Sequence, residues 1–346
     1  MVEVGKIGDK TLVLDGRYIS IFREGKLVWK KAYMAYILPD DNLYMYRRRV
    51  RITELSGNTL TDYQIKIEIG AGDPIWKHAR SAGEDIRFCY YPEAEMIPHW
   101  IEKFDPVAEE AIIWVKVPSI PASSETEIYM YYGNPTVASA SDGEATFDFF
   151  DDFDDGIYDL NKWIEPVGGP GNYVEENGYL ELTVTGTDAP YRALTNTFTL
   201  SDGIIEQKIM FTYTNNVPHL MIFVRQPTDG TYGYGELTAR GGSGDDFYFH
   251  DGTFKGEVSL GYDLDAYKDT WFFMQFKLSG SNAWGYIKNL KTGAETTTSI
   301  TDFSTLVSPG RLGPGVWNAE TTNRIDWFRV RKFADPEPSV SVGAEE

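Results

Sequence analysis

The chain of 346 residues sets 32 Lys and Arg against 52 Asp and Glu, a formal charge of −20 with a pI near 4.6. So acidic a chain excludes a nucleic-acid partner, since phosphate binding needs clustered cations; nine Trp, 22 Tyr and 19 Phe exclude disorder. One cysteine, Cys89, excludes an internal disulfide and a Cys-based metal cluster, and no apolar run reaches the ~18–20 residues of a membrane span, so no membrane insertion is expected.

The opening MVEVGKIGDK has no long apolar core and predicts no signal peptide. Few glutamines and many charges of both signs fit a thermophile. Residues 1–42 predict a β arm: runs at Thr11–Leu14, Arg17–Phe22 and Leu27–Lys30 are separated by turn residues Asp15-Gly16 and Glu24-Gly25-Lys26. Three short strands bury little alone. The arm must dock in cis or on another chain, and its near-balanced charge suits an assembly element that makes a homo-oligomer or joins a virion.

Residues 43–137 predict a small β-sandwich with strands at Tyr46–Thr53, Gln64–Ile69, Ile86–Cys89, Ile97–Phe104, Ala111–Val117 and Glu127–Tyr132. Prolines 92, 98, 106, 118, 121 and 135 fall near strand ends, where a missing N–H does least damage. Arg47, Arg48, Arg49 and Arg51 alternate faces, either as a solvated, ion-paired edge or as a docking surface for protein or anions. Residues 138–146 read as a linker.

Residues 147–346 predict one large all-β domain with an acidic tail. It opens on Phe147–Trp163, where rings alternate with aspartates: the rings want burial, the carboxylates want water, a cation or backbone donors. Further strands are expected at Tyr179–Thr185, Ile204–Tyr213, Leu220–Arg225, Gly233–Arg240, Phe247–His250, Trp271–Leu278, Trp284–Ile287 and Arg324–Lys332.

Two resemblances follow from these residues. Tyr46-Arg47-Arg48, Leu60-Thr61-Asp62-Tyr63-Gln64, Gly83-Glu84-Asp85-Ile86-Arg87-Phe88, His99-Trp100-Ile101-Glu102, Ile113-Trp114-Val115-Lys116-Val117-Pro118 and Ile128-Tyr129-Met130-Tyr131-Tyr132-Gly133-Asn134-Pro135 resemble an uncharacterised β-domain of archaeal and bacterial cell-surface and virus-associated proteins. It implies a sandwich and an architectural setting, with no established chemistry. Phe150-Asp151-Asp152-Phe153, Lys162-Trp163, Asn177-Gly178-Tyr179-Leu180 and Ile325-Asp326-Trp327-Phe328-Arg329-Val330 resemble the concanavalin A-like and laminin-G-like jelly rolls. That likeness implies a jelly-roll sandwich and would bring first and last strands together.

Three chemistries are open to these residues. Jelly-roll glycoside hydrolases carry Glu-x-Asp-x-x-Glu or Glu-x-Asp-x-Glu on one strand, because hydrolysis needs two carboxyls on one face. No such triplet exists here; the best pair to assemble is Glu206 with Glu236, so no catalytic residues and no enzyme are expected. A glycan- or partner-binding face is expected from His219, Arg225, Tyr232, Tyr234, Glu236, Arg240, Trp284 and Tyr286, where rings stack on sugar C–H surfaces and charges take hydroxyls. The same alternation marks any antiparallel sheet with one wet face, and both readings stand. A structural Ca²⁺ held by Asp151, Asp152 and Asp326 is the third candidate, against aspartates that only cap turns and pair with Lys162 or Arg329.

The expectation is therefore a non-catalytic structural or adhesive protein of a virion or cell surface, extracellular, whose jelly roll binds glycan or a surface protein. The alternative is a polysaccharide-acting hydrolase or its carbohydrate-binding module.

Overall fold

The computed structural model describes residues 2–7, 10–15, 18–32, 36–90, 95–186, 189–213, 217–227, 235–242, 244–303, 309–318 and 320–346. Its strands fall into two units, Met1–Thr146 with Ala334–Glu346, and Phe147–Phe333.

The first unit begins with a meander of four strands rather than three: Val2–Ile7, Lys10–Asp15, Tyr18–Arg23 and Lys26–Ala32. Val2–Ile7 escapes the sequence pattern because Gly5 interrupts it, and the pairing register shifts between Glu3 and Gly5. Gly16 and Arg17, in the expected first turn and second strand, lie outside the described residues.

A sandwich follows. One sheet orders Glu95–Met96, Arg87–Tyr90, Glu125–Tyr132, Tyr46–Thr53 and Ser339–Glu345; the other orders His99–Asp105, Glu110–Ile120 and Leu60–Ile69. Alternate residues of both meet in one core, with Val50, Ile52, Ile128 and Met130 packed in a cluster with Ile65, Ile67, Ile113 and Val115. The arginine run splits as alternation requires. Arg48 is buried on a bidentate pair with Asp73 (2.6 and 2.5 Å). Arg47 pairs with Glu346, and Arg49 and Arg51 pair with Glu127, so the run is ion-paired on an interior strand rather than at an edge.

Residues 334–346 correct the expected domain limits. Carried above as the tail of the large domain, they instead add an edge strand to the first unit, Ser339 opposite Thr53 and Val342 opposite Val50. Val340 and Val342 pack on the first core while Ser339 and Ser341 point away. That period-2 pattern is legible, but nothing local says which distant sheet it completes.

The second unit stacks two antiparallel sheets. The eight-stranded sheet orders Gly171–Glu176, Tyr179–Val184, Thr321–Arg331, Gly203–Tyr213, Trp271–Ser279, Asn282–Asn289 and Glu295–Ile300, with Phe149–Asp151 beside Thr321–Arg331. The seven-stranded sheet orders Val167–Gly168, Tyr191–Arg192, Arg311–Val316, His219–Gln226, Gly235–Arg240, Asp246–His250 and Phe254–Ser259. Ile205, Ile209, Phe272, Met274 and Phe276 from the first meet Leu220, Ile222, Leu237, Phe247 and Phe249 from the second in one core.

Arg311–Val316 has the sequence RLGPGV, which turn chemistry reads as a loop. Its glycines are there for close approach: a Cβ on Gly313 would lie 1.9 Å from the Ala193 carbonyl oxygen, and one on Gly315 would lie 2.3 Å from the Phe223 ring.

Within the stretch 147–163, Phe149–Asp151 forms the expected first strand. Asp151 is buried, its Oδ2 accepting from the Trp163 indole N–H (2.7 Å) and its Oδ1 from the Phe153 N–H (3.2 Å). Trp163 is buried against Phe149, Phe153 and Phe328. Aromatics and aspartates thus resolve into a ring cluster clasped by one carboxylate.

Two buried amides tie the sheets across the core. Gln207 Nε2 donates to the Met221 carbonyl (3.0 Å), and Asn323 Nδ2 donates to the carbonyls of His219 (2.7 Å) and Gly315 (2.9 Å). Asn323→Ala removes both buried donations and is expected to cost about 2–3 kcal/mol, read as a lower denaturation midpoint. An unchanged midpoint would show that the tie carries no stability.

Candidate functional site

Because Leu220, Leu237, Phe247 and Phe249 point into the core, their neighbours form the outer face of the seven-stranded sheet. Cross-strand register sets this face in rows. The first runs Phe223, Glu236, His250, Phe254; the second Met221, Thr238, Tyr248, Glu257; the third His219, Arg240, Asp246, Ser259. His219, Glu236 and Arg240, expected on one face, do share it.

The face is wet only toward its edge. Leu194, Met221 and Phe223 are buried together with Ile164 and Trp317 packed on them, and His219 stacks on Trp317. His219 and Glu236 are therefore buried, a correction to their expected role as exposed sugar contacts. At the edge, Phe254 is 55% exposed, its ring 5.5 Å from that of Tyr248. The Arg240 guanidinium lies 5.6 Å from the Tyr248 ring centroid, pairs with Asp246 and reaches Glu257 at 3.7 Å. Phe254 and Glu257 were missed because FKGEVS carries no clear alternation and an interior glycine.

Other expected contacts lie elsewhere. Arg225 takes φ +54° where the register shifts between Phe223 and Gln226, and its buried guanidinium donates to the carbonyls of Ser201, Phe303 and Gly280. It pins loops rather than facing a ligand, since the irregularity breaks the alternation used to place it. Trp284 and Tyr286 belong to the eight-stranded sheet, whose inward residues are Ala283 and Ile287. They form a separate half-exposed patch, with Trp284 stacked on Phe333 (5.7 Å) and the Tyr286 hydroxyl donating to Glu295 (2.6 Å). Tyr232 and Tyr234 lie outside the described residues.

The carboxylate pair does not form. Gln207 faces the core, so Glu206 faces outward from the eight-stranded sheet, where Arg329 (2.7 Å), Arg331 (3.1 Å) and Gln275 (2.5 Å) take it. Burial would raise its pKa, and Arg331 and Arg329 overcome this to hold it well below the usual range. Glu236 faces outward from the other sheet, with both sheets and the core between the two carboxyls. Its strand continues with Thr238 and Arg240, where a hydrolase strand carries further acids.

Glu236 is a distinctive group. It is 2% exposed, and among the described residues its Oε1 accepts a long bond from Thr238 (3.3 Å) and its Oε2 has no hydrogen-bond partner. Burial pushes its pKa up to about 8, against the pull of Thr238 and Arg192, so the carboxyl is protonated at neutral pH.

Of the three expected cation ligands, Asp151 is committed to Trp163 and Phe153, with Lys162 at 3.5 Å, and Asp326 pairs with Lys208 (2.8 Å). Burial and then Asp154 raise the pKa of Asp152; burial and then Asp326 raise that of Asp154. Asp154 thus joins Asp152 and Asp326 in one repulsive field. A second cluster, missed in sequence because its members come from two loops, sets ligand atoms of Asp245, Asp263 and Asp265 within 4.8 Å of one another. There Asp245 accepts from Leu264 N–H, Asp265 from Gly242 N–H and Asp263 from Asp265 N–H.

Among protein families, residues 82–166 match a domain of unknown function (DUF2341). No curated protein matches the chain. Among solved structures, the chain is similar to a Bacillus subtilis protein of unknown function with a galectin-like fold (15% identity, 54% of this chain and 96% of that one, TM-score 0.43). It is also similar to the carbohydrate-binding module CBM66 from B. subtilis (14%, 48% and 95%, 0.39) and to a Bacillus licheniformis β-glucanase (16%, 54% and 98%, 0.39).

Glu236 makes stability pH-dependent with a definite sign. Its folded pKa of about 8 lies above the ordinary 4.5, so its contribution is complete below about pH 4.5 and is lost as pH rises through 8. Glu236→Gln is expected to flatten the fall of melting temperature between pH 5 and about 8. Parallel wild-type and variant curves would contradict this assignment.

Proposed function

We propose that the chain is a non-catalytic glycan-binding protein of a cell surface or virion, acting outside the cell, and that the edge of its seven-stranded sheet is the recognition face. The observation that carries this reading is Phe254, an exposed ring beside Tyr248, whose own ring is met by the Arg240 guanidinium that reaches Glu257. An exposed ring stacks on the C–H face of a sugar, while guanidinium and carboxylate groups beside it take hydroxyls in pairs. Trp284 and Tyr286 offer a second aromatic patch on the other sheet. The N-terminal meander supplies the contact for assembly in this reading.

The separation of Glu206 and Glu236, and the Thr238 and Arg240 that share the Glu236 strand, support the non-catalytic reading. The alternative, a polysaccharide hydrolase, is favoured by one feature: Glu236 holds its proton at neutral pH, as a general acid must. Release of reducing ends from any retained glycan would establish it.

A structural Ca²⁺ forms part of the proposal. The mutual repulsion of Asp154 with Asp152 and Asp326 supports this reading, and a hard cation held there by oxygen donors would neutralise that charge.

Two outcomes test these readings. On a glycan array, Phe254→Ala and Arg240→Ala are expected to lose at least ~10-fold in retention, about 1.4 kcal/mol, with the melting temperature of Phe254→Ala nearly unchanged and that of Arg240→Ala lowered by the loss of its pair with buried Asp246. Loss in Trp284→Ala instead would move the site to the other sheet, and no retention by wild type would end the reading. Chelation by EDTA is expected to lower the melting temperature of wild type and not of Asp326→Asn, since an ion bound only to the folded state stabilises it. Equal sensitivity lost in Asp263→Asn alone would transfer the ion to the Asp245 cluster.

A further inference from the structure

The edge strand Ser339–Glu345 belongs to a sheet whose other strands end at Tyr132, so the first sandwich is completed by a segment encoded some two hundred residues later. Its attachment is one-sided. It pairs only with Tyr46–Thr53, and its residues alternate exposed and half-exposed. A cavity of about 500 Å³ bordered by Arg48, Ile65, Asp73, Val340 and Val342 lies along it. Another of about 340 Å³ is bordered by Arg49, Arg51, Ser341 and Gly343.

Side-chain anchors gather at its far end. Arg48 Nε donates to the Gly343 carbonyl (2.8 Å), and Glu345 Oε2 accepts from the Tyr132 hydroxyl (2.7 Å) and lies 2.8 Å from His78 Nδ1. Arg47 and Glu346 exchange two backbone bonds (3.2 and 2.9 Å). The strand is therefore held by ladder bonds, a terminal clasp and the two inward valines Val340 and Val342, and its partner edge has a fixed register and fixed polar docking points.

We infer that the Tyr46–Thr53 edge is a strand-acceptor site whose second occupant is the Ser339–Glu345 strand of another copy of this chain, giving a strand-exchanged dimer. Three observations favour a second copy over a foreign strand. The register needs Val340 and Val342 inward with a carboxylate five and three residues further on, which this segment supplies. The seven residues joining the Thr321–Arg331 strand to it, 332–338, span up to about 25 Å when extended. They include Pro336 and Pro338, which favour extended backbone. Exchange replaces the ladder and clasp contacts with the same contacts in trans, so the linker, the release of Ala334 from the first core and association entropy separate the two forms. Until residues 334–346 are made, the edge has an unpaired row of N–H and C=O groups, which is when a neighbour's strand can fill it.

The test is a double variant of the full chain, Thr53→Cys with Ser339→Cys, two positions directly opposite in the ladder. Equal amounts of ¹⁵N-labelled and unlabelled protein are unfolded together and refolded with glutathione buffer at low and high chain concentration. The disulfide-linked peptide is then weighed. The expected result is uniformly light or heavy peptides at low concentration, with mixed-isotope peptide rising toward half of the total at high concentration. Only uniform peptides at every concentration would overturn exchange, and failure to form the disulfide at all would overturn the pairing beneath it.

Discussion

The second unit depends on one constraint: a single core shared by two sheets. Ile205 and Ile209 from one sheet and Leu220 and Ile222 from the other must meet there, because neither sheet can bury its apolar face alone. Once those faces are committed, period-2 alternation assigns every other side chain to one of two outer surfaces. Glu206 with its arginines lies on one, Glu236 and Tyr248 on the other. The buried amides of Gln207 and Asn323 fix the sheets against one another, so this assignment is rigid.

That constraint explains what was legible in the sequence. Strands with strong alternation, such as Tyr46–Thr53, Trp271–Ser279 and Asn282–Asn289, are visible from their residues, and with them the all-β class. Which residues share a face within a strand is also visible: Trp284 with Tyr286, Glu236 with Arg240. What the pattern omits is which sheet a strand joins. Trp284 and Arg240 therefore looked like members of one patch and lie on opposite surfaces. Arg225 was misplaced for a different reason, since a positive φ at an irregular pairing step turns its side chain out of the alternation. Arg311–Val316 was invisible because close approach of neighbouring strands required glycines that otherwise signal a loop.

The first unit shows the same limit at longer range. Its edge strand lies beyond the whole second unit, and Ser-Val-Ser-Val is as good a final strand for one sandwich as for the other. Only the polar partners, Arg47, Arg48, His78 and Tyr132 gathered around Gly343, Glu345 and Glu346, distinguish the sheet it completes. The Asp151 clasp on Trp163 is a similar case: the sequence shows many carboxylates among rings, and structure shows the single one that spends its acceptors on an indole.

The central claim is that glycan contacts the edge of the seven-stranded sheet. Hydrogen–deuterium exchange of the full chain with and without a saturating glycan taken from the array tests it most directly. Slowed exchange is expected over 246–259 and the adjoining end of Gly235–Arg240 and nowhere else. Protection over Asn282–Asn289, with 246–259 unchanged, would contradict it.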